Sequence, residues 1–368
     1  MLQGWAARAA LPQFPWDRLA PYADKARAHA GGIVDLSIGT PVDPTPAVVQ
    51  DALRAAADAP GYPLTIGTAA LRAALVSWVG RRLGASVTEQ QVVPSIGSKE
   101  MVSLLPSLLG LAPGTRVLIP RLAYPTYDVG ARLAGCVPHA VADPTAEDPS
   151  DVGLIWLNSP SNPTGAVLPA AELARIVAWA RSHEILVASD ECYLELDWET
   201  APVSVLHPSV SGGSADGLLA LHSLSKRSNL AGYRAGFAVG DAGVVGAITE
   251  ARKHIGLLVP NPVQAAMVAA LGDDGHVAAQ KALYAARRAL LKPALEKAGF
   301  RVDASEAGLY LWSTRDEACW ETIDALASVG VLAAPGEFYG EDGARHVRVA
   351  LTATDERVAA AVERLALL

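Results

Sequence analysis

The chain has 368 residues, of which 51% are hydrophobic and 18% are charged, and its net charge at pH 7 is −8. The length allows one large domain and a smaller one, and the composition excludes a disordered chain. The acidic balance argues against a nucleic-acid partner, which requires a basic surface. No apolar run reaches the length of about 18 residues that spans a membrane, so we expect no membrane partner.

The cysteines and the N-terminus both indicate the compartment. Cys136, Cys192 and Cys319 are odd in number and lack CxxC spacing, which predicts reduced thiols and neither a disulfide framework nor a metal site. The N-terminus has no basic region followed by an apolar core and a small-residue cleavage site, so we predict no signal peptide. These features together predict a cytoplasmic protein.

In chain order, the elements change from a mixed start to regular α/β alternation. About the first forty residues are rich in Pro and Trp and contain no complete βα unit. Apolar runs bounded by turn residues then predict buried strands at 116–120, 152–158, 185–190, 218–223 and 235–240. Helical spacing predicts helices over 98–110, 169–182, 242–258 and 275–298.

The C-terminal part has a different pattern. After the long charged helix it shows strands at 308–312 and 346–351, a helix near 317–329 and a closing helix. The sequence therefore predicts a large α/β domain followed by a smaller α+β domain, onto which the N-terminal segment packs.

One polar segment lies where an apolar run passes into a helix. In "VVPSIGSKEMV" (92–102), Gly97, Ser98 and Lys99 occupy this junction. Backbone N–H groups at a helix start bind anions, and glycine permits close approach of the ligand. Taken alone, the segment is better explained as an ordinary helix cap.

Two further segments follow predicted strands, at the edge where open α/β sheets bind ligands. In "VASDECYLEL", Asp190 ends an apolar strand and Tyr193 follows three residues later. A carboxylate at a buried strand end requires a cation or several hydrogen bonds. The turn "LNSPSNPTG" (157–165) ends another strand, and by itself it indicates only a loop.

The stretch "LHSLSKRSNLAGYRAGFAVG" (221–240) places Lys226 among hydroxyl residues and an arginine. A phosphate bound by Gly97–Lys99, Ser223, Ser225 and Arg234 would fit a ligand whose ring nitrogen is kept protonated by Asp190. Lys226 would then form a Schiff base with an aldehyde of that ligand. This is the chemistry expected around pyridoxal 5′-phosphate.

Seven motifs resemble, in order and spacing, those of the class I/II aminotransferases of fold type I. They are "YPLTIGTAALRAAL", "GSKE", "AYPTY", "NPTG", "SDECY", "SLSKRSNLAGYRAGF" and "HVRVAL", and the resemblance extends over residues 39–351. It implies a large domain at 40–272 with a mostly parallel seven-stranded sheet sandwiched by helices. It also implies a smaller α+β domain formed by 1–39 and 273–368.

The resemblance implies roles for individual residues. Lys226 would be the Schiff-base lysine that moves the proton, Asp190 would pair with the pyridinium nitrogen, and Tyr193 would complete the catalytic set. Tyr193 and Asn162 would hydrogen-bond the phenolate oxygen of the cofactor, and Tyr124 would stack on its ring.

The resemblance also implies the residues that bind the phosphate and the substrate. The phosphate would be held by Gly97, Ser98, Lys99, Ser223, Ser225 and Arg234. Tyr62 would reach the phosphate of the neighbouring subunit, which implies a homodimer with shared active sites. Substrate would be bound by Gly39, Asn162 and Arg348, because an arginine grips a carboxylate in a bidentate fork that lysine cannot form.

Several of these residues have simpler interpretations. Arg348 could be an ordinary strand arginine, and Tyr124 and Tyr127 could be half-buried loop aromatics. His222 is interpreted as a core histidine with satisfied hydrogen bonds, and Arg227 as a structural or dimer contact. Arg121 and Trp198 flank the expected pocket, and either could contact a distal group of the substrate.

A narrower resemblance concerns the substrate. "DLSIGTPVDPTP", "HSLSKRSNLAGYRAGF", "SEAGLYLW" and "ALTATDERVAAAV" are similar to actinobacterial N-succinyldiaminopimelate aminotransferases. This implies ping-pong transfer from an amino donor, glutamate, to N-succinyl-2-amino-6-oxopimelate, in lysine and diaminopimelate synthesis. The alternatives are a different acceptor, a C–S β-lyase on the same cofactor, and a non-catalytic regulator built on this fold.

Overall fold

A computed structural model describes residues 11–368. Its helices are α1 (Ala20–Arg27), α2 (Ala47–Ala55), α3 (Ala69–Trp78), α4 (Gly97–Leu108), α5 (Thr126–Leu133), α6 (Ala170–Ser182), α7 (Pro208–Ser211), α8 (Leu224–Arg227), α9 (Ala242–Ile255), α10 (Asn261–Gly272), α11 (Gly275–Lys297), α12 (Cys319–Ser328) and α13 (Asp355–Leu365). Its strands are β1 (Val34–Asp35), β2 (Val92–Ile96), β3 (Arg116–Pro120), β4 (Val137–Val141), β5 (Val152–Asn158), β6 (Leu186–Asp190), β7 (Leu218–Ser223), β8 (Ala235–Gly240), β9 (Arg301–Asp303), β10 (Tyr310–Thr314), β11 (Val331–Leu332), β12 (Ala334–Pro335) and β13 (Val347–Ala350).

The main sheet has seven strands in the order β2-β8-β7-β6-β5-β3-β4. Strands β3 to β7 run parallel to one another, whereas β8 is antiparallel to both β7 and β2. This confirms the predicted α/β fold with a mostly parallel seven-stranded sheet. Parallel neighbours need long crossover connections, and α5 and α6 provide them between β3 and β4 and between β5 and β6.

Both faces of this sheet are covered by helices, which explains why its strands are apolar throughout. Side chains alternate between faces along a strand. Leu154 and Trp156 on β5 therefore join the core beneath α4, α5 and α9, while Ile155 and Leu157 join the core beneath α3, α6 and α10. A strand that is buried on both faces needs apolar residues at every position.

A second, smaller sheet lies in the C-terminal part, as predicted. Its antiparallel strands follow the order β12-β13-β10-β9, and a separate hydrophobic core lies between this sheet and helices α11 to α13. The N-terminal segment joins it, because β1 pairs with β11 at Val34 and Val331 and α1 packs on α12. The exact domain limits, 1–39 with 273–368 and 40–272, stay a prediction, and residues 1–10 lie outside the described part. Within residues 11–368, no helix is both long and apolar enough to cross a bilayer.

A buried arginine joins three separate parts of the chain. Arg287 on α11 donates to both carboxylate oxygens of Asp43, at 2.8 and 2.5 Å, and to Asp355 at the start of α13, at 2.8 Å. The Asp43 side chain is 13% exposed, and that of Asp355 is 72% exposed. The same guanidinium therefore forms one shielded ion pair and one that water screens.

This difference in exposure predicts unequal effects on stability. Asp43→Asn should lower the free energy of unfolding by about 1–3 kcal/mol, because it removes a charged hydrogen-bond acceptor from a nearly buried arginine. Asp355→Asn, at the same arginine, should cost less than about 1 kcal/mol, as exposed ion pairs do. Chemical denaturation of the two variants measures both values, and equal losses would contradict the prediction.

Candidate active site

The N-terminus of α4 and the start of β8 approach each other closely. Gly97 has a φ of +69°, and a side chain there would overlap the guanidinium of Arg234. Gly236, paired with Ser95 across the sheet, would place a side chain against the backbone of Gly97 and Ser98. The first N–H groups of a helix have no partner within the helix. An arginine beside such a helix start forms a site suited to a phosphate.

The turn after β7 adds two hydroxyls to this corner. Ser223 pairs with Gly236 on β8, and its Oγ accepts a hydrogen bond from the backbone N–H of Ser225 at 3.1 Å. Both serines are buried. Ser223 thus caps the short helix α8, whose third residue is Lys226.

The amine of Lys226 lies between elements from both parts of the chain. Its Nζ donates a hydrogen bond to the carbonyl oxygen of Gly39 at 2.5 Å. Burial lowers the pKa of Lys226, and the positive charges of Arg348 and Arg234 lower it further, against the opposite effects of Tyr310 and Cys192. This environment favours the neutral, nucleophilic form of the amine.

Asp190 ends β6 and is buried, and within residues 11–368 its carboxylate has no cationic hydrogen-bond partner. Its carboxylate accepts hydrogen bonds from Tyr127 Oη at 2.9 Å and from the backbone N–H of Cys192 at 3.3 Å. Burial raises the pKa of Asp190, and these two donors only partly oppose the shift. A buried carboxylate with neutral donors is complementary to a cationic ligand atom, such as a protonated ring nitrogen.

Arg348 on β13 is the buried cation on the opposite side of the site. It is 3% exposed, and it donates to Asn162 Oδ1 at 2.8 Å and to the carbonyl oxygen of Ser37 at 2.7 Å. Its Nε is buried without a hydrogen-bond partner among the described residues. The guanidinium lies 3.9 Å from the ring centre of Tyr310 and 4.9 Å from that of Tyr339.

The hydroxyl of Tyr193 pairs with a residue that the sequence did not single out. Tyr193 Oη lies 3.1 Å from Tyr310 Oη. The Asn162 side chain, which the resemblance places at the same cofactor oxygen as Tyr193, accepts a hydrogen bond from Arg348. "SEAGLYLW" was noted as a motif, but nothing in it indicated that the Tyr310 hydroxyl would reach the site.

Two more residues of the site were missed or undervalued. Tyr127, interpreted as a half-buried loop aromatic, is fully buried and bonds Asp190. Asn158, at the end of β5, donates to the carbonyl oxygen of Asp190 at 2.8 Å and accepts from the backbone N–H of Asn162 at 2.7 Å. A polar residue ending an apolar strand was the available signal for Asn158.

Other predicted residues lie at the margin of this cluster. Tyr62 is 96% exposed within the single chain. Lys99 Nζ lies 5.8 Å from the ring centre of Tyr124, whose ring packs edge-on against Tyr127. Ser98 Oγ accepts a hydrogen bond from Cys192 Sγ at 3.1 Å.

Each of the flanking residues has a partner within the chain. Arg121 bonds Asp342 at 2.7 Å, and Trp198 Nε1 donates to the carbonyl oxygen of Gly308 at 2.8 Å. Arg227 is buried and forms a 2.5 Å ion pair with Glu195, which places it in a structural contact.

The arrangement fits pyridoxal 5′-phosphate. The glycine-lined corner with Arg234 and two serines suits its phosphate, and Asp190 suits its ring nitrogen. Lys226 lies where an amine could bond its aldehyde. The guanidinium of Arg348, on the opposite side of the site, suits a substrate carboxylate.

A second buried polar cluster lies behind the site, formed by the sequence neighbours of Asp190 and Ser223. Glu191 Oε2 lies 3.5 Å from His222 Nε2, and neither atom has a hydrogen-bond partner among the described residues. His222 therefore differs from the satisfied core histidine that we expected. Burial raises the pKa of Glu191 to about 7. Burial, helped by the charge of Arg227, lowers the pKa of His222 to about 3.

These shifts predict how stability depends on pH. Between pH 4.5 and about 7 the folded chain keeps the Glu191 proton and the unfolded chain does not. The contribution of Glu191 to the free energy of unfolding should therefore fall through this window, by up to about 3 kcal/mol. The lowered pKa of His222 acts in the opposite direction, because between about pH 3 and 6.5 the unfolded chain binds a proton there that the folded chain does not. Glu191→Gln, a neutral isostere, should remove the falling contribution, so that the stability of this variant rises with pH up to about 6.5.

The matched control is Glu172→Gln on α6, which should keep the pH profile of the unaltered protein. Denaturation at a series of pH values measures all three proteins. An unchanged pH profile in the Glu191 variant would show that this carboxyl group ionises normally in the folded chain.

Comparisons with known proteins agree with this site. The family model "Aminotransferase class I and II" matches residues 32–365. The chain is 57% identical over 355 residues to 4-dedimethylamino-4-oxo-anhydrotetracycline transaminase OxyQ of Streptomyces rimosus, covering 96% of this chain and 99% of that protein. It is 59% identical to the probable aminotransferase Rv1178 of Mycobacterium tuberculosis, covering 97% of this chain and 86% of that protein.

A solved structure gives the same result for the fold. The probable N-succinyldiaminopimelate aminotransferase of Thermus thermophilus is 28% identical and superposes with a TM-score of 0.87, covering 96% of this chain and all of that chain. The family match extends over nearly the whole chain and includes the candidate lysine, aspartate and arginine. The chain therefore belongs to the class I/II aminotransferase family and is a pyridoxal-phosphate-dependent aminotransferase.

Proposed function

We propose that this aminotransferase transfers an amino group from glutamate to N-succinyl-2-amino-6-oxopimelate. The observation that best supports a substrate bearing an α-carboxylate is Arg348, a buried guanidinium whose Nε has no hydrogen-bond partner among the described residues. The narrower motif resemblance and the similarity to the Thermus thermophilus structure support the succinylated acceptor.

Lys226 and Asp190 are proposed to perform the central chemistry. When bound, pyridoxal phosphate supplies an electron sink for the charge that develops at the substrate α-carbon. Lys226 would hold the cofactor through its amine and, once released, would act as the base that removes the substrate α-proton and then as the acid that returns it at cofactor C4′. Asp190 would keep the ring nitrogen protonated, so that charge would be stabilised in the transition state more than in the ground state.

The remaining residues are proposed to position the reactants. Backbone N–H groups of Gly97, Ser98 and Lys99 and the side chains of Ser223, Ser225 and Arg234 hold the phosphate. Tyr193 donates to the phenolate oxygen of the cofactor, with Asn162 beside it, and Tyr124 covers the ring. Arg348 receives the substrate carboxylate in a fork, and Gly39 lines the entrance.

We also propose a homodimer. The support is a group of large apolar side chains on the surface of the single chain, among them Ile38, Tyr62, Leu64 and Ile255, each at least half exposed. Such side chains are favoured at subunit interfaces. Tyr62 would then bind the phosphate of the partner subunit, as the resemblance implies.

A bulky ring ketone is the second candidate acceptor. The name of the 57% identical relative describes a transaminase for a 4-oxo-anhydrotetracycline. In this chain Trp16 packs against Phe338 at 5.3 Å and against Tyr339 at 6.3 Å between ring centres, which brings aromatic surface near Arg348. Aromatic walls favour flat apolar substrates.

Substitution of Lys226 tests the chemistry. Lys226→Ala should still bind pyridoxal phosphate through its phosphate but lose the visible absorbance of the lysine-linked cofactor. Transamination should fall by several orders of magnitude, because both the attachment and the proton transfer are removed. Lys292→Ala on α11 is the control and should behave as the unaltered enzyme. A Lys226 variant that still turned over would contradict the assignment.

Single-turnover half-reactions test the substrates. Glutamate should bleach the visible absorbance of the lysine-linked cofactor, whereas alanine and aspartate should leave it. Addition of N-succinyl-2-amino-6-oxopimelate to the bleached enzyme should restore the absorbance. Recovery with a polycyclic aromatic ketone, and none with the succinylated acceptor, would replace the first candidate by the second.

A further inference from the structure

We propose that Tyr310 is a positioning residue whose hydroxyl directs the Tyr193 hydroxyl toward the cofactor, while its ring packs on the arginine of the substrate-carboxylate site. This inference rests on the proposed roles of Tyr193 and Arg348. No motif of the sequence assigned a role to Tyr310. The residue nevertheless contacts the predicted site from three sides.

The first contact is the hydrogen bond between the two tyrosines. Tyr310 is 4% exposed and Tyr193 is 7% exposed, and their hydroxyl oxygens are 3.1 Å apart. Burial, followed by the effect of Tyr310, raises the pKa of Tyr193 well above its ordinary value. Tyr193 therefore keeps its proton at neutral pH and has one hydrogen to donate.

The single proton of Tyr193 fixes the direction of this hydrogen bond. If Tyr193 donates to the phenolate oxygen of the cofactor, its own oxygen can only accept. Tyr310 must then be the donor, which gives a chain from Tyr310 to Tyr193 to the cofactor oxygen. Successive hydrogen bonds polarise one another, so the Tyr310 hydroxyl makes Tyr193 a stronger donor.

The second contact explains why residue 39 is a glycine. A side chain at Gly39 would overlap Tyr310 Oη. The carbonyl oxygen of the same residue accepts the hydrogen bond of Lys226. Gly39 therefore serves two neighbours at once, since its missing side chain admits the Tyr310 hydroxyl and its carbonyl holds the lysine amine.

The third contact is made by the ring and not by the hydroxyl. The Arg348 guanidinium lies 3.9 Å from the ring centre of Tyr310, a cation–π distance. Strands β10 and β13 hold this geometry, with Trp312 opposite Arg348 and Tyr310 opposite Ala350. Phenylalanine at position 310 would keep this stacking and lose only the hydrogen bond, which separates the two contributions.

The experiment is a pH titration of the visible absorbance of the holoenzyme. A donor to the phenolate oxygen stabilises the form in which the cofactor–lysine linkage has lost its proton, so a weaker donor raises the midpoint. Tyr310→Phe should raise it by a few tenths of a unit, less than the value of a whole hydrogen bond, because the direct donor Tyr193 is weakened but not removed. Tyr193→Phe, which removes the direct donor, should raise it further.

Tyr339→Phe is the matched control. Tyr339 also lies beside Arg348, but its hydroxyl has no hydrogen-bond partner among the described residues. Its removal should leave the midpoint unchanged. Gly39→Ala is a second variant on the same contact, because its methyl group displaces the Tyr310 hydroxyl and should raise the midpoint in the same direction.

The outcomes separate this inference from the proposed function. If Tyr193→Phe raises the midpoint but both Tyr310→Phe and Gly39→Ala titrate as the unaltered enzyme, the positioning role of Tyr310 is wrong. If Tyr193→Phe also leaves the midpoint unchanged, the proposed role of Tyr193 is wrong and the inference falls with it. A rise in Tyr339→Phe equal to that in Tyr310→Phe would likewise overturn it.

Discussion

The side chain of Asn158 connects the two halves of the active site. Its amide nitrogen donates to the carbonyl oxygen of Asp190, and its oxygen accepts from the backbone of Asn162. Asn158 and Asp190 are also paired in register at the ends of β5 and β6. This link fixes the carboxylate that faces the cofactor relative to the turn that contacts Arg348. The Asn158 hydrogen bonds therefore set the distance between cofactor and substrate groups.

The charged side chains of the site match the charges of its expected ligands. Within the protein these side chains are only partly neutralised by one another. Asp190 is buried with neutral donors, and Arg348 is held by an amide oxygen and a carbonyl oxygen. Uncompensated buried charges are unfavourable in the empty protein. A ligand with a cationic ring nitrogen and a substrate carboxylate removes this cost, so binding should stabilise the fold. Burial lowers the pKa of Lys226, and the positive charge of Arg348 lowers it further.

Much of the fold could be predicted because its signals are local. The predicted strands at 116–120, 152–158 and 218–223 have the observed limits, since strands buried on both faces are apolar throughout. β4 was not predicted, because it forms the edge of the sheet and is largely exposed. Tyr310 and Tyr127 were not identified as site residues, because their partners, Tyr193 and Asp190, are distant in sequence. A motif shows which residue types are present, but it does not show which side chains they will contact in the folded chain.

The end of strand β6 places two neighbouring acids in different environments, Asp190 as its last residue and Glu191 directly after it. Asp190 lies on the side of Tyr127 and the cofactor site, whereas Glu191 lies on the side of His222. Adjacent residues of an extended chain point to opposite faces, so a shift of one residue exchanges them. A single-residue insertion or deletion in this strand would therefore turn Asp190 toward His222 and remove its carboxylate from the cofactor site. We expect related aminotransferases to vary in length in their surface loops and to conserve the length of this strand.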